Sequence, residues 1–421
     1  MPDWKASMEQ TFEYYIVDPN TWKDMKLINT VKSCNISRDA EADTRGSATI
    51  NIVDSVGECY IRVYLITIQN GITEKHPLGT FLVQTPSSSY DGKIRNVSMD
   101  AYTPLIELKE KQPPLGYYAP KTEYHKVEVT DDGYIETDEK LDSVVGDVLQ
   151  GATTSDGKQV FKQTLNGTDT HYCMSETIMS LVCRLARENA RAPVLITDSI
   201  KPLNYDFISE TDDTWFSFLT DLAANVSYEF DLDELGRICF MPVRDINLLR
   251  PVWTYDDDNS SILYPDMSMD HDLYGVPNVV EVVYSTSSDT IYSIVENWDE
   301  NSPTSIPNRG RKIVYRVTDP ELIDAPTQAQ VDDYAVRLMC NMSSMEYTVT
   351  YSHGYCPVRV GDCVRLNYSR AGIKDIKAKV ISQSITCETG CKVTEKAVFI
   401  TNRIGRSKLY VNGVPSDGGD E

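Results

Sequence analysis

The sequence predicts a mainly β protein with α+β parts, in which two antiparallel β domains are separated by a smaller α+β region. Three observations predict it. Residues 31–54, VKSCNISRDAEADTRGSATINIVD, place Cys34, Ile36, Ala48, Ile50 and Ile52 in alternation with polar neighbours around an acidic turn, as half-buried strands require. Residues 207–242, FISETDDTWFSFLTDLAANVSYEFDLDELGRICFMP, read as a helix start, an amphipathic helix and a hairpin. After residue 251 short strand patterns return, with a single helical pattern among them.

Taken in order, Tyr60–Ile68 alternates like the strands before it, and Asn70-Gly71 supplies a turn whose residues tolerate positive φ. Gly79–Pro86 and Lys93–Tyr102 continue the meander, so residues 1–115 are expected to form the first β domain. Residues 116–172 change character: acids outnumber lysines, glycine turns recur and periodicity is weak. They are expected to form an acidic inserted arm or surface hairpin, with the charge a solvated face. Residues 173–250 are expected to form the α+β domain. Met174, Ile178, Leu181, Val182 and Leu185 share one helical face, and Trp215, Phe218, Leu219 and Leu222 share another. Thr211, Asp212 and Asp213 offer capping oxygens for the second helix. Tyr228 and Phe230 alternate into a strand, Asp231–Gly236 turns, and Ile238 and Phe240 alternate back.

Residues 251–403 are expected to form the second β domain, beginning with a loop-like stretch, 251–275, that contains the acidic run 256–258. A hairpin is predicted from Asn278–Tyr284 and Ile291–Glu296 across Ser287-Ser288, then a long loop, 297–311, and a strand at Lys312–Val317. Thr327 can cap a helix whose inner face carries Val331, Tyr334, Ala335, Leu338 and Met339. The strands Tyr347–Tyr351, Asp362–Asn367, Lys377–Ser384 and Lys392–Ile400 close the domain, and residues 404–421 are expected to be a flexible tail.

Composition narrows the function classes. Hydrophobic residues make up 41% of the chain, so a core is available, and the apolar runs are far too short to span a bilayer. No membrane insertion is expected, and the start, MPDWKASMEQTFEYY, lacks the pattern of a secretory signal, which points to synthesis in a cytoplasm. The ten cysteines are scattered and read as reduced thiols rather than a disulfide framework. With 63 acidic against 40 basic residues the net charge is −23, which disfavours any grip on nucleic acid.

No catalytic pattern emerges. H-E-x-x-H, G-x-S-x-G and G-x-x-x-x-G-K-[ST] are all absent. His353 and Cys356, in YSHGYC, can be drawn as a base and a thiol, but they sit in a turn between strands with no identified third partner and read as an ordinary loop pair. Cys387 and Cys391, with Cys356 and Cys363 upstream, lack the C-x-x-C pairs of a zinc site. Asp231–Gly236 begins like a calcium loop, yet Leu235 and Pro242 stand where oxygen ligands are needed. The run 256–258 lacks a ligand register, and the sequon Asn166-Gly-Thr168 has no secretory context. The sequence therefore predicts a protein that is not an enzyme, with no catalytic, cofactor or metal residues.

The helix DTWFSFLTDLAANV, the hairpin YEFDLDELGRICFMP, the strand at Asn278–Val282, the loop Asn301-Ser-Pro-Thr-Ser305, the helix TQAQVDDYAVRLM and the strand start Gly361–Val364 follow one another in an order that resembles tail or baseplate hub proteins. These belong to tailed bacteriophages and related contractile injection systems. Upstream, ISRDAEADTRGSATINIVD is similar to the first β domain of the same family. The likeness covers residues 25–115 and 173–400, and it is one of order and texture. It implies that the two β domains are tube-like barrels. It further implies a homotrimeric, pseudo-sixfold ring that joins a tail tube protein to a central spike protein, contacts other baseplate proteins and surrounds the DNA channel. DNA is then a passing cargo, and the channel lining is expected to be neutral to negative, with Asp39–Asp43 either contributing to it or lying on the outer rim. Two alternatives belong to other classes: a tail-associated cell-wall hydrolase or endopeptidase, and a carbohydrate-binding tail-tip protein, the latter suggested by 25 Tyr and 5 Trp.

Overall fold

In a computed structural model the described residues are 2–53, 56–90, 92, 95–131, 133–142, 144, 146–197, 199–244, 246–258, 262–271, 275–285, 290–318, 320, 327–342, 345–401 and 408–415. The fold is mainly β with α+β parts, as the alternation predicts. Chain contacts divide it into two compact units. One comprises residues 1–245 with 354–356 and 382–393; the other comprises 246–353, 357–381 and 394–421.

The first unit is built on an antiparallel sheet. Its strand order runs from residues 382–386 through Val31–Asp39, Gly46–Ile52, Arg95–Tyr102, Ile72–Tyr90, Tyr60–Gln69 and Glu9–Val17 to the edge strand Asp24–Leu27. The alternation of residues 46–52 appears directly as burial: Ala48, Ile50 and Ile52 point inward. Ile72–Tyr90 is long enough to serve two partners, pairing with Tyr60–Gln69 through its first part and with Arg95–Tyr102 through its second. Helix α1 (Ile106–Glu110) follows.

Residues 124–174 depart from a simple hairpin. They form a five-stranded sheet, ordered Gly133–Leu141, Tyr124–Thr130, Thr168–Met174, Gln159–Leu165, Asp147–Thr153. A bridge from Tyr134 to Thr154 joins its two ends. Two small apolar clusters hold it, one around Val127, Val160 and Cys173 and the other around Phe161, Tyr172 and Met174. The register pairs Val160 with Cys173 and Phe161 with Tyr172, so neighbouring positions serve different clusters. With apolar residues on both faces, the strands lack the one-sided alternation by which a sequence announces a strand.

Helices α2 (Ile178–Asn189) and α3 (Trp215–Ala224) pack together with the hairpin Tyr228–Leu232 and Ile238–Pro242 in one apolar cluster, which Tyr60 and Leu82 of the first sheet join. The predicted faces are the buried ones, Ile178, Leu181, Val182 and Leu185 on α2 and Trp215, Phe218, Leu219 and Leu222 on α3, except that Met174 ends the strand Thr168–Met174, paired with Tyr124, and does not belong to α2. The cap of α3 lies later than Thr211–Asp213. Thr214 accepts from the backbone of Ser217, whose side chain accepts from the Thr214 backbone, a reciprocal capping box.

In the second unit Leu263–His271, residues 345–353, residues 394–401, residues 373–381, Cys363–Tyr368 and Trp253–Asp256 belong to strands that are neighbours in that order, the last pair parallel. The stretch 251–275, expected to be a loop, thus supplies two strands. Trp253–Asp256 holds the buried Tyr255, and Leu263–His271 is an edge strand, where Pro265 is tolerated because one side of the backbone needs no partner. A second sheet contains Val314–Thr318, Val279–Ser285, Thr290–Asn297, Leu409–Val411 and Val414–Pro415. The short helix α4 (Ile306–Arg309) interrupts the predicted loop, and α5 (Gln328–Met342) covers the sheet with Val331, Ala335, Val336 and Met339. Thr327 bonds Gln330 at the start of α5. Ser287 and Ser288 lie outside the described residues. Leu409, expected in a frayed tail, is fully buried in this sheet's core, because it extends the ladder beside Thr290–Asn297.

Candidate functional site

The polar groups singled out in the sequence are absorbed into the fold. His353 is fully buried, and its Nε2 lies 3.0 Å from the Tyr255 hydroxyl and 3.3 Å from a Glu395 carboxylate oxygen. Tyr351 donates to the other oxygen of Glu395 at 2.7 Å, and Tyr255 donates to it at 3.3 Å. Glu395 is also fully buried. Such a network satisfies a carboxylate that would otherwise be costly to bury. The base drawn in the sequence is thus engaged with Glu395 and Tyr255 inside a sheet, and Cys356, also buried, is part of the other unit. The four residues come from three strands distant in sequence, so only the folded chain brings them together.

The calcium-like turn is likewise closed on itself. Asp233 accepts from the backbone of Leu235 and Arg237 and pairs with the Arg237 guanidinium at 2.5 Å. Its outward-facing group is the Leu235 carbonyl, which receives the Trp22 indole at 2.8 Å, the Thr80 hydroxyl at 2.8 Å and Arg62 at 3.1 Å. Arg62 is itself buried and paired with Asp24 at 2.9 Å. Gly236 follows at φ +72°, where a Cβ would come within 2.6 Å of the Thr80 side chain. The turn is therefore a plug that docks the α+β hairpin on the first sheet.

The acids serve local order. Asp256 accepts from the Asn367 amide, and Asp257 accepts from the Ser369 hydroxyl, which holds its carboxyl below the usual range. Asp43 pairs with Lys109 at 2.5 Å. In the 124–174 sheet Lys126, Lys140, Lys158 and Lys162 each meet a carboxylate, and His125 lies between Glu123 and Glu136. Among the described residues, no group of three or more His, Cys, Asp or Glu side chains is placed to hold a metal ion.

The described residues also offer exposed surface. The edge strand Asp24–Leu27 is exposed at all four positions. Tyr118 and Ile208 sit opposite each other on a two-stranded ladder, both exposed, with Leu115 at 82% and Tyr205 at 83% exposure in the adjoining segments. Val314 and Tyr315 are exposed on the edge strand of the second unit's smaller sheet. Open ladder edges and large apolar side chains in water are features of surfaces that bind other chains. The sequence carries a trace of this in Leu115 and Tyr205, large side chains set in turn-like segments, but exposure itself is legible only after folding.

No family model matches the sequence, and no curated protein is similar to it in sequence. Two solved structures share the fold over nearly the whole chain. The tail protein from Neisseria meningitidis MC58 matches with a TM-score of 0.55 and 11% identity, over 93% of this chain and 96% of that one. The 43 kDa tail protein of prophage MuSo2 from Shewanella oneidensis matches with a TM-score of 0.56 and 10% identity, over 92% of this chain and 98% of that one. The fold is that of phage-type tail proteins, and the resemblance to the tail and baseplate hub family read in the sequence holds at the level of fold.

Proposed function

We propose that the chain is a structural hub of a phage-type tail, forming a homotrimeric ring that joins the tail tube to the central spike and surrounds the DNA channel. The observation that carries the reading is the whole-chain likeness of fold to two tail proteins. It agrees with a chain that holds two β units with exposed edge strands, and whose candidate catalytic groups are engaged in internal bonds. In the ring each subunit contributes two tube-like domains, one from residues 1–115 and one from residues 251–403, so three subunits match a sixfold tube and a threefold spike. The α+β region, 173–250, lies between these domains in the chain, and the 116–172 arm is an addition to them. Closure of the ring satisfies edges that a monomer leaves open, as cyclic assemblies do. The protein then works in the virion baseplate without catalysis.

Symmetry tests this reading. A cryo-EM map of the assembled particle is expected to show three copies in one ring next to the tube, with both β domains of each copy at the tube radius. Six copies in one ring, or a single β domain per copy at that radius, overturn it.

A further inference from the structure

The contacts that place residues 382–393 with the first unit end in a cysteine pair that the proposed function does not use. Thr386 is paired with Asn35 and Ile385 with Ile36, which brings Cys387 opposite Cys34. The Cys387 backbone N–H donates to the Cys34 carbonyl at 2.9 Å, so the ladder continues through the pair. Side chains of directly opposed residues point to the same face, with Cβ atoms about 4.5–5.5 Å apart. The Cys387–Cys34 bond makes this a hydrogen-bonded pair, with Cα atoms about 5.5 Å apart, inside the roughly 4.4–6.8 Å that a disulfide spans, so closure requires only that the Cβ atoms draw in to roughly 3.5–4.5 Å. Both thiols are buried and both are free. The side-chain contact with Cys34, together with burial, pushes the Cys387 thiol well above its ordinary pKa.

We propose that Cys34 and Cys387 are a latent disulfide site, which a low-molecular-weight disulfide can oxidise to fasten the 382–393 hairpin to the first sheet. One protein thiolate attacks the external disulfide, forms a mixed disulfide and expels one small thiol. The second protein thiolate then attacks the protein sulfur of that mixed bond and expels the other. Two protein thiols are oxidised, one external disulfide is reduced to two thiols, and the two protons leave with those thiols. Burial makes the reaction depend on opening of the hairpin and on deprotonation, so it is slow at neutral pH and faster in base. The bond would matter mechanically. Residues 382–393 belong to the first unit, whereas the segments 357–381 and 394–421 on either side of them belong to the second. A covalent tie at Cys387 therefore fixes in the first unit a hairpin whose two flanks lead elsewhere. Cys391 is the competitor, since it is buried in the same hairpin and close in sequence to Cys387.

The test is incubation of the purified full chain with oxidised glutathione over a pH series, read by intact mass and by non-reducing peptide mapping. The expected result is loss of two hydrogens without a retained glutathione, a cross-linked peptide pair containing Cys34 and Cys387, faster formation as pH rises, and reversal by dithiothreitol. Cys391→Ser should keep the cross-link and Cys34→Ser should abolish it. The oxidised chain should unfold at a higher temperature than the reduced one. A Cys387–Cys391 bond, a stable glutathione adduct, or no cross-link under conditions that oxidise the same chain in urea overturns the proposal. So does an unfolding temperature that falls on oxidation. The mapping of the unmodified chain decides the matter even if a serine variant fails to fold.

Discussion

Trp215 shows how much a single residue can hold. It is buried on α3, and its ring meets Tyr117 at 5.0 Å and Phe218 at 5.9 Å, both edge-on. Trp215→Ala is expected to cost about 3–5 kcal/mol, because the cavity left between α3 and its neighbours cannot fully collapse. Urea denaturation checks this, and a change within about 0.5 kcal/mol would place Trp215 at the surface. His76 makes a prediction of a different kind. It packs against Trp4 at 4.9 Å and shares a hydrogen bond with Thr67 at 3.0 Å. Burial lowers its pKa below the ordinary 6.5, against the opposing pull of Glu74. The unfolded chain therefore binds a proton here at a pH where the folded chain does not, so stability falls as pH drops below about 6.5 and through the folded value. Thermal unfolding across that range should lose part of its acid sensitivity in His76→Gln, and an unchanged slope would assign the sensitivity to other groups.

The hairpin 228–242 illustrates what one element needs from another. Its strands pair in register, Phe230 against Phe240, with ring centroids 4.7 Å apart. That much is local. The Leu235 carbonyl, however, accepts from Trp22, Thr80 and Arg62, residues more than 150 positions away. Gly236→Ala tests the docking, because it adds both a strained φ and a close approach to Thr80. Gly71 has a similar φ, +77°, but its added Cβ would meet nothing within 4 Å. Gly71→Ala should therefore report the backbone strain alone, roughly 1 kcal/mol, and Gly236→Ala should cost more. Equal losses in the urea midpoint would mean that the turn does not seat tightly on Thr80. The 124–174 sheet is the contrasting element, since its strands serve two small clusters. Its sequence shows little periodicity because apolar residues face both ways.

For the whole molecule, charge is the property with a direct consequence. A net charge of −23 sets the average field of the chain against phosphate. If the proposed ring forms, duplex DNA should pass through it without being held. Fluorescence anisotropy of labelled duplex with the assembled ring should show weak association at low salt and little change as salt rises. Tight binding that weakens steeply with salt would contradict this, and would point to a basic lining despite the acidic total. The ring's symmetry is a separate question, and the map described above addresses it independently of DNA affinity.

Some of this protein was written in local sequence. The faces of α2, α3 and α5, the hairpin after α3 and the alternation of 46–52 depend on spacing within one element, and burial follows that spacing. The strands at Trp253–Asp256 and Leu263–His271 were not legible, because acidic residues and Pro265 argue locally for a loop and only their sheet partners offset that tendency. The same holds for Leu409–Val411, whose partner strand lies more than 100 residues upstream. His353, which the sequence places in an ordinary loop pair with Cys356, is instead bonded to Tyr255 and Glu395, whose carboxylate Tyr351 also holds. The sequence by itself determined which side chains face inward on each helix, since helical periodicity is a property of neighbours along the chain. The tertiary structure alone decided which carbonyls, carboxylates and cysteines meet, because those contacts are fixed by strand pairing over distances that no local pattern encodes.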